Sequence, residues 1–90
     1  MTRQELIEKG FEDVIVFENP DYDGCILGIS IDNRAIYSLE KMVAWYCKNN
    51  GCSFEEALEF IEYNTIRALP YQQNAPIILN DLCEVENEKA

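Results

Sequence analysis

The stretch of residues 53–71, SFEEALEFIEYNTIRALPY, constrains this chain most, because it specifies where a helix starts, which side turns inward and where it stops. Ser53 and Glu56 form Ser-x-x-Glu, in which the serine hydroxyl takes the amide of the third helical residue while the glutamate reaches back to the serine amide. A helix therefore begins at Phe54. Cys52 and Ala57 are spaced as a weak hydrophobic staple, and Glu55 and Glu56 put negative charge at the positive end of the helix dipole. Phe54, Ala57, Leu58, Ile61 and Thr65 recur at the spacing of one helical face, with Glu55, Glu59 and Glu62 on the opposite side. Leu69 precedes Pro70, which disfavours helical geometry and ends the helix near Arg67.

Upstream, Ser38 caps a helix over residues 39–49 with Leu39, Met42, Val43 and Tyr46 as its inward stripe, and Lys48-Asn49-Asn50-Gly51 supplies a basic last turn and a stop. Only Gly51 and Cys52 separate that stop from the next cap, so the two helices must be neighbours, as an αα-hairpin or a helix-turn-helix corner. Thr2 and Glu5 repeat the capping box for a short opening helix over residues 2–9, with Leu6 and Ile7 inward and Gly10 as a left-handed stop.

Between these helices lie three β-type runs, residues 14–17, 25–31 and 35–37, separated by Asn19-Pro20-Asp21 with Gly24 and by Asp32-Asn33. They read as an antiparallel meander. In the middle run Cys25, Leu27, Ile29 and Ile31 alternate with Ile26, Gly28 and Ser30, which predicts one core face and one partly covered face. Gly28 marks a bulge or a close backbone approach. After the polar loop Tyr71-Gln72-Gln73-Asn74, residues 76–79 form a last short strand, placed at an edge by Pro76. The expected fold is α+β and two-layered: an antiparallel three- to four-stranded sheet, an αα-hairpin packed on one face, and a short N-terminal helix. One domain is expected over residues 1–83, followed by an acidic, frayed tail over 84–90.

Charge narrows the function classes. Seven basic against seventeen acidic residues leave a net charge of -10, which repels nucleic-acid phosphates and anionic membrane surfaces. Direct nucleic-acid or membrane binding is disfavoured, and with neither a secretory leader nor an apolar run approaching 18 residues the chain reads as cytoplasmic. Cys25, Cys47, Cys52 and Cys83 show no Cys-x-x-Cys spacing, and no histidine is present to complete a mixed site. They read as small hydrophobes in a reducing compartment, with neither metal nor cofactor expected.

Several motifs dissolve on inspection. The second helix of a DNA-reading corner would carry Glu55, Glu56, Glu59 and Glu62 and no base before Arg67, the reverse of what a groove helix needs. Asp21-Tyr22-Asp23-Gly24 resembles the start of a calcium loop, but Cys25 occupies the fifth position and the glycine falls fourth rather than sixth, so turn chemistry explains it better. A histidine base, a nucleophile beside a base and a phosphate-cradling glycine loop are all lacking, so no catalytic residue is assigned and an enzyme is not expected. The least generic group is Tyr63, Asn64, Thr65, Arg67 and Tyr71. Tyr63 lies one helical turn before Arg67, which allows a guanidinium to stack on its ring or grip a carboxylate. Arg67 could equally bond the last helical carbonyls, and Asn64 could cap the helix or fix the following loop.

The runs IDNRAIYSLEKMV, SFEEALEFIEYNTIRALPY and NAPII resemble a family of short proteins encoded in gut Firmicutes and their prophages. Its members share forms close to Asp-x-Arg-x-x-Tyr, Glu-Glu-Ala and Tyr-Asn-Thr-x-Arg-Ala-x-Pro-Tyr. The resemblance covers residues 29–78, with Asp32, Arg34, Tyr37, Tyr63, Asn64, Thr65, Arg67, Pro70 and Tyr71 at matching positions. It brings no activity with it; what it implies is a phage or prophage origin and an accessory or host-directed role.

Three functions compete. The first is a non-catalytic protein-interaction module, including self-association through the sheet face that the helices leave open. The second is an acidic inhibitor that imitates nucleic acid. The third is a small-ligand binder or enzyme built on Tyr63, Asn64, Arg67 and Tyr71. Partner contacts are expected from Glu55, Glu59 and Glu62 or from the Tyr63, Asn64, Arg67 and Tyr71 group. The capping assignment is testable by chemical denaturation: Ser53→Ala should lower stability by about 1 kcal/mol, and an unchanged midpoint would refute it.

Overall fold

The computed structural model describes residues 1–18 and 20–82. Asn19, Cys83 and the expected tail over 84–90 lie outside the described residues. The elements in chain order are α1 (Arg3–Glu8), β1 (Ile26–Ile29), β2 (Ala35–Ser38), α2 (Leu39–Asn50), α3 (Phe54–Asn64), a 3-10 helix (Ile66–Tyr71) and β3 (Ile77–Leu79). The fold is α+β with a three-stranded sheet in the order β1-β2-β3.

The three caps form as their residue types require. Thr2 and Glu5 make a reciprocal capping box at α1, and Ser53 and Glu56 do so at α3. Gly51 adopts the left-handed conformation, φ 63°, that ends α2. α3 stops three residues earlier than the sequence predicts. Pro70 has no N–H to give an α-helical bond and its ring crowds the preceding turn, so beyond Thr65 the chain tightens into the 3-10 helix, which carries Pro70 within it.

Two expectations about the sheet are corrected. β1 and β2 are antiparallel, but β2 and β3 are parallel, pairing Ile36 with Ile77 and Ser38 with Leu79. The sheet is therefore mixed. A parallel partner needs the chain to return to the start of β2 before it enters β3, and everything from Leu39 to Pro76 forms that return path. Residues 14–17 form no strand. Their side chains are used instead: Val14, Val16 and Phe17 pack against the core, and the Phe17 amide donates to the Tyr37 hydroxyl at 3.1 Å.

The predicted alternation in the middle run also fails, for a local reason. The ladder register shifts between Ile26 and Gly28, leaving Leu27 as a bulge. The extra residue reverses the parity of the strand. Ile26 and Ile29 consequently join Ala35, Tyr37 and Ile78 on the face that packs with Met42, Val43, Ala57 and Ile61, whereas Leu27 and Ile31 are 43% and 104% exposed. Gly28, Ile36, Ile77 and Leu79 lie on the other face, where Gly28 leaves open space rather than a close approach. In α1 only Leu6 is buried; Ile7 is exposed.

A bond that no local pattern predicts joins the layers. Ser38 is both the last residue of β2 and the cap of α2, its hydroxyl accepting from the Lys41 amide at 3.1 Å. The same hydroxyl donates to the carboxylate of Asp81, whose other oxygen accepts from the Glu40 amide at 2.8 Å. Asp81 follows β3, so the helix N-terminus is capped from both ends of the crossover. Partial burial pushes the Asp81 pKa upward, but the bonds from Ser38 and the Glu40 amide outweigh it and hold the carboxyl below its usual value. A depressed pKa contributes stability above the unfolded value, about 3.9 for aspartate, and that contribution is lost as pH falls through the folded value. Asp81→Ala should therefore destabilise by about 1–2 kcal/mol at pH 7. The gap between variant and parent, read by denaturation, should shrink below about pH 4; a gap independent of pH would refute the ionic cap.

Candidate acidic and aromatic trough on the helix pair

The helix pair owes its outer surface to where its aromatic residues fall. Tyr46 lies at the edge of the inward stripe of α2, and Phe60 lies one residue before the buried Ile61 of α3. Their rings meet across the pair, stacked at 4.4 Å between centroids and 24° between planes. On one side of this stack is a depression of 590 Å³ lined by Tyr46, Asn50, Cys52, Glu56, Glu59, Phe60, Tyr63 and Asn64. On the other side a second, of 630 Å³, adds Glu18, Pro20, Asp21, Trp45 and Asn49. The two share Tyr46, Asn50 and Phe60 and so adjoin at the stack, as the two halves of a trough. Four carboxylates lie along it, and no lysine or arginine is among the described lining residues.

The sequence-predicted site residues divide around this trough. Glu59, Tyr63 and Asn64 line it, while Glu55 and Glu62 are exposed and lie outside its lining. Arg67 stacks on Tyr63, its guanidinium carbon 4.9 Å from the ring centroid, as the helical spacing allows. The Asn64 amide donates to the Phe60 carbonyl at 3.1 Å, which closes the end of α3. Tyr71 is 92% exposed at the end of the 3-10 helix and does not converge with the others. Tyr63, Asn64, Arg67 and Tyr71 thus do not form one site.

Other residues singled out in the sequence belong to the scaffold. Arg34 donates through Nε to the Ala75 carbonyl at 2.7 Å and pairs weakly with Asp32, tying the β1–β2 turn to the approach to β3. Asp23 accepts the Arg3 amide at 2.8 Å and Asp21 accepts the Asp23 amide at 3.2 Å, so the acidic turn at 21–24 holds α1 and itself. Burial pushes the Cys25 thiol up to about 11 and the Tyr37 hydroxyl up to about 12, the latter partly offset by the Phe17 amide. Neither group is disposed to react near neutral pH. Among the described residues no cluster of potential ligands could hold a metal ion, and no helix is long and apolar enough to cross a membrane.

Sequence reasoning missed Tyr22. Its ring is wholly buried, packed 5.1 Å from Trp45 and 5.9 Å from Phe17, yet its backbone is left-handed, φ 46°. Such a conformation is an outlier for a bulky residue. Burial raises the pKa of its hydroxyl and the nearby Thr65 side chain partly offsets this, but no hydrogen bond of ordinary geometry satisfies it among the described residues. An orphaned buried hydroxyl costs about 1–3 kcal/mol. Beside it a small pocket of 180 Å³ opens at the end of α3, lined by Phe17, Glu18, Pro20, Tyr22, Asn64, Thr65, Ala68, Leu69 and Gln72. Glu18 and Pro20 line both this pocket and the trough.

Comparisons with protein-family models, with curated proteins and with solved structures found no match. The site is therefore read from its own chemistry. Because the Arg67–Tyr63 pair is exposed, Arg67→Ala should change stability by less than about 0.5 kcal/mol; a larger loss in thermal or chemical denaturation would make Arg67 part of the scaffold.

Proposed function

We propose that this chain is a non-catalytic, cytoplasmic protein-binding module that receives a basic segment of its partner in the trough beside α2 and α3. The observation that carries the proposal is the trough's lining. Stacked aromatic rings offer flat faces to a cation or to the stem of a long side chain, and a lining of four carboxylates, of which only Glu18 has a basic neighbour, Arg3 at 3.9 Å, favours positive charge over any other kind. A net charge of -10 adds long-range attraction for a basic partner and raises the association rate. The groups with shifted pKa that are described above have structural partners or are buried, which supports binding rather than chemistry. A phage or prophage origin is part of the proposal and rests on the Tyr-Asn-Thr-x-Arg-Ala-x-Pro-Tyr resemblance alone.

The competing reading, an acidic mimic of nucleic acid, would use the outward carboxylates Glu55 and Glu62 rather than the trough. One titration separates the two. A seven-residue arginine peptide, followed by fluorescence of Trp45, the only tryptophan, should bind more weakly as salt rises. Glu59→Lys should reduce affinity about tenfold, the effect of reversing one charge about 6 Å from a ligand cation at a wet surface. Glu55→Lys and Glu62→Lys, with the same change in net charge, should each cost less than about threefold. Equal losses for all three variants would favour mimicry, and no binding by the parent protein would refute the trough.

A further inference from the structure

Tyr22 poses a question that the core does not answer. Its ring fills space between Phe17 and Trp45, and a phenylalanine would fill the same space. The hydroxyl is what packing leaves unexplained: it is buried, no hydrogen bond of ordinary geometry reaches it among the described residues although the Thr65 side chain lies close by, and it sits on a residue whose backbone adopts φ 46°. Strain and an unsatisfied polar group at one residue, beside an opening, are features that recur where a ligand completes the arrangement.

The surroundings indicate what would complete it. Glu18 brings a carboxylate, mostly exposed and only loosely engaged by Arg3 at 3.9 Å. Asn64 uses its amide nitrogen on the Phe60 carbonyl, which leaves its side-chain oxygen as the acceptor. Thr65, which caps the end of α3, brings a hydroxyl that makes no capping bond to the 3-10 helix. The pocket also lies at the C-terminus of α3, where the helix dipole presents partial negative charge. Acceptors and negative potential thus converge on a space whose remaining walls are the apolar Phe17, Pro20, Ala68 and Leu69 and the neutral amide of Gln72. At 180 Å³ it has room for one long side chain.

We infer that this pocket takes the cationic end of a single side chain, an alkylguanidinium or alkylammonium, with Tyr22 and Glu18 among its acceptors and the apolar walls around its stem. Resting on the function proposed above, it deepens that reading: the trough holds the partner's basic segment, and the pocket, joined to it through Glu18 and Pro20, anchors one arginine or lysine. Arginine is an acceptable anchor because its planar group can meet several acceptors at once while lying against aromatic faces; lysine brings a point charge with three donors.

Small probes read the pocket without the trough. In amide NMR titrations of the whole chain, n-butylguanidinium or n-butylammonium should shift the signals of Tyr22, Asn64, Thr65 and Ala68, whereas n-butylurea, neutral and similar in shape to the guanidinium, should not. Whichever cation shifts them at lower concentration identifies the preferred head group. Ala68→Leu should fill the space and abolish the shifts. Tyr22→Phe should leave the fold as stable as the parent or more so, yet weaken both the small cation and the seven-residue arginine peptide by about three- to tenfold, the span expected for one hydrogen bond. Equal shifts with n-butylurea, or none with either cation, overturn the inference. If the arginine peptide binds and responds to Glu59→Lys but not to Ala68→Leu or Tyr22→Phe, the anchor is wrong and the trough stands. If the small cations shift the pocket signals while the peptide fails to bind, the docking reading is wrong and the pocket stands as a small-cation site.

Discussion

Ser38 is where the fold closes on itself. Its backbone ends β2, its hydroxyl caps α2, and that same hydroxyl reaches Asp81 beyond β3. A helix N-terminus leaves several amides without intrahelical partners, and here they are met by one group from before the helix and one from the far end of the crossover. The parallel pairing of β2 with β3 and the position of α2 over the sheet are thereby tied to one carboxylate. With α2 held there, α3 follows after only two intervening residues and a left-handed glycine, so the whole helix pair inherits its placement from this junction.

The core beneath the pair is aromatic on the side of residues 17–22. Phe17 packs against both Tyr22 and Tyr37, and Tyr22 against Trp45. The segment that supplies Phe17 has no ladder, so it is held by side-chain burial and by the bond from its amide to Tyr37. A segment held in this way can leave openings that a paired strand would close. The pocket at Tyr22 is such an opening, and the same turn contributes Pro20 and Asp21 to the trough.

Acidic charge has two roles on this surface. Glu56 is consumed in the cap of α3 and Asp23 in holding α1, so these carboxylates are parts of the scaffold even where they are exposed. Glu59 instead stands beside the aromatic rings of the trough, joined there by Glu18, only loosely engaged by Arg3, and by Asp21, which also accepts the Asp23 amide. Repulsion among them is relieved by water and salt in the free protein, and a cationic ligand would relieve it more directly, which is the ground for proposing the trough rather than the scattered carboxylates of Glu55 and Glu62 as the place for a basic segment.

The local signals in the chain determined most of the helical layer. Ser53 with Glu56, Thr2 with Glu5, Ser38 and Gly51 are short-range features whose hydrogen bonds lie within four residues, so no knowledge of the rest of the fold is needed to read them. The stacking of Arg67 on Tyr63 was legible for the same reason, as a contact one helical turn apart. Strand direction was not legible, because alternation reports burial and says nothing about which way a strand runs; β3 looks the same in either direction. The bulge at Leu27 was signalled by Gly28 but its effect on parity depends on the partner strand, and so the alternation of Leu27 and Ile31 with Ile26 and Gly28 did not tell which residues face the core. The Tyr46–Phe60 stack, the packing of the Tyr22 ring on Trp45 and the Asp81 cap on Ser38 join residues 14, 23 and 43 positions apart in the chain. Contacts at such separations leave no periodic trace, and only the packing of the helix pair on the sheet decided them.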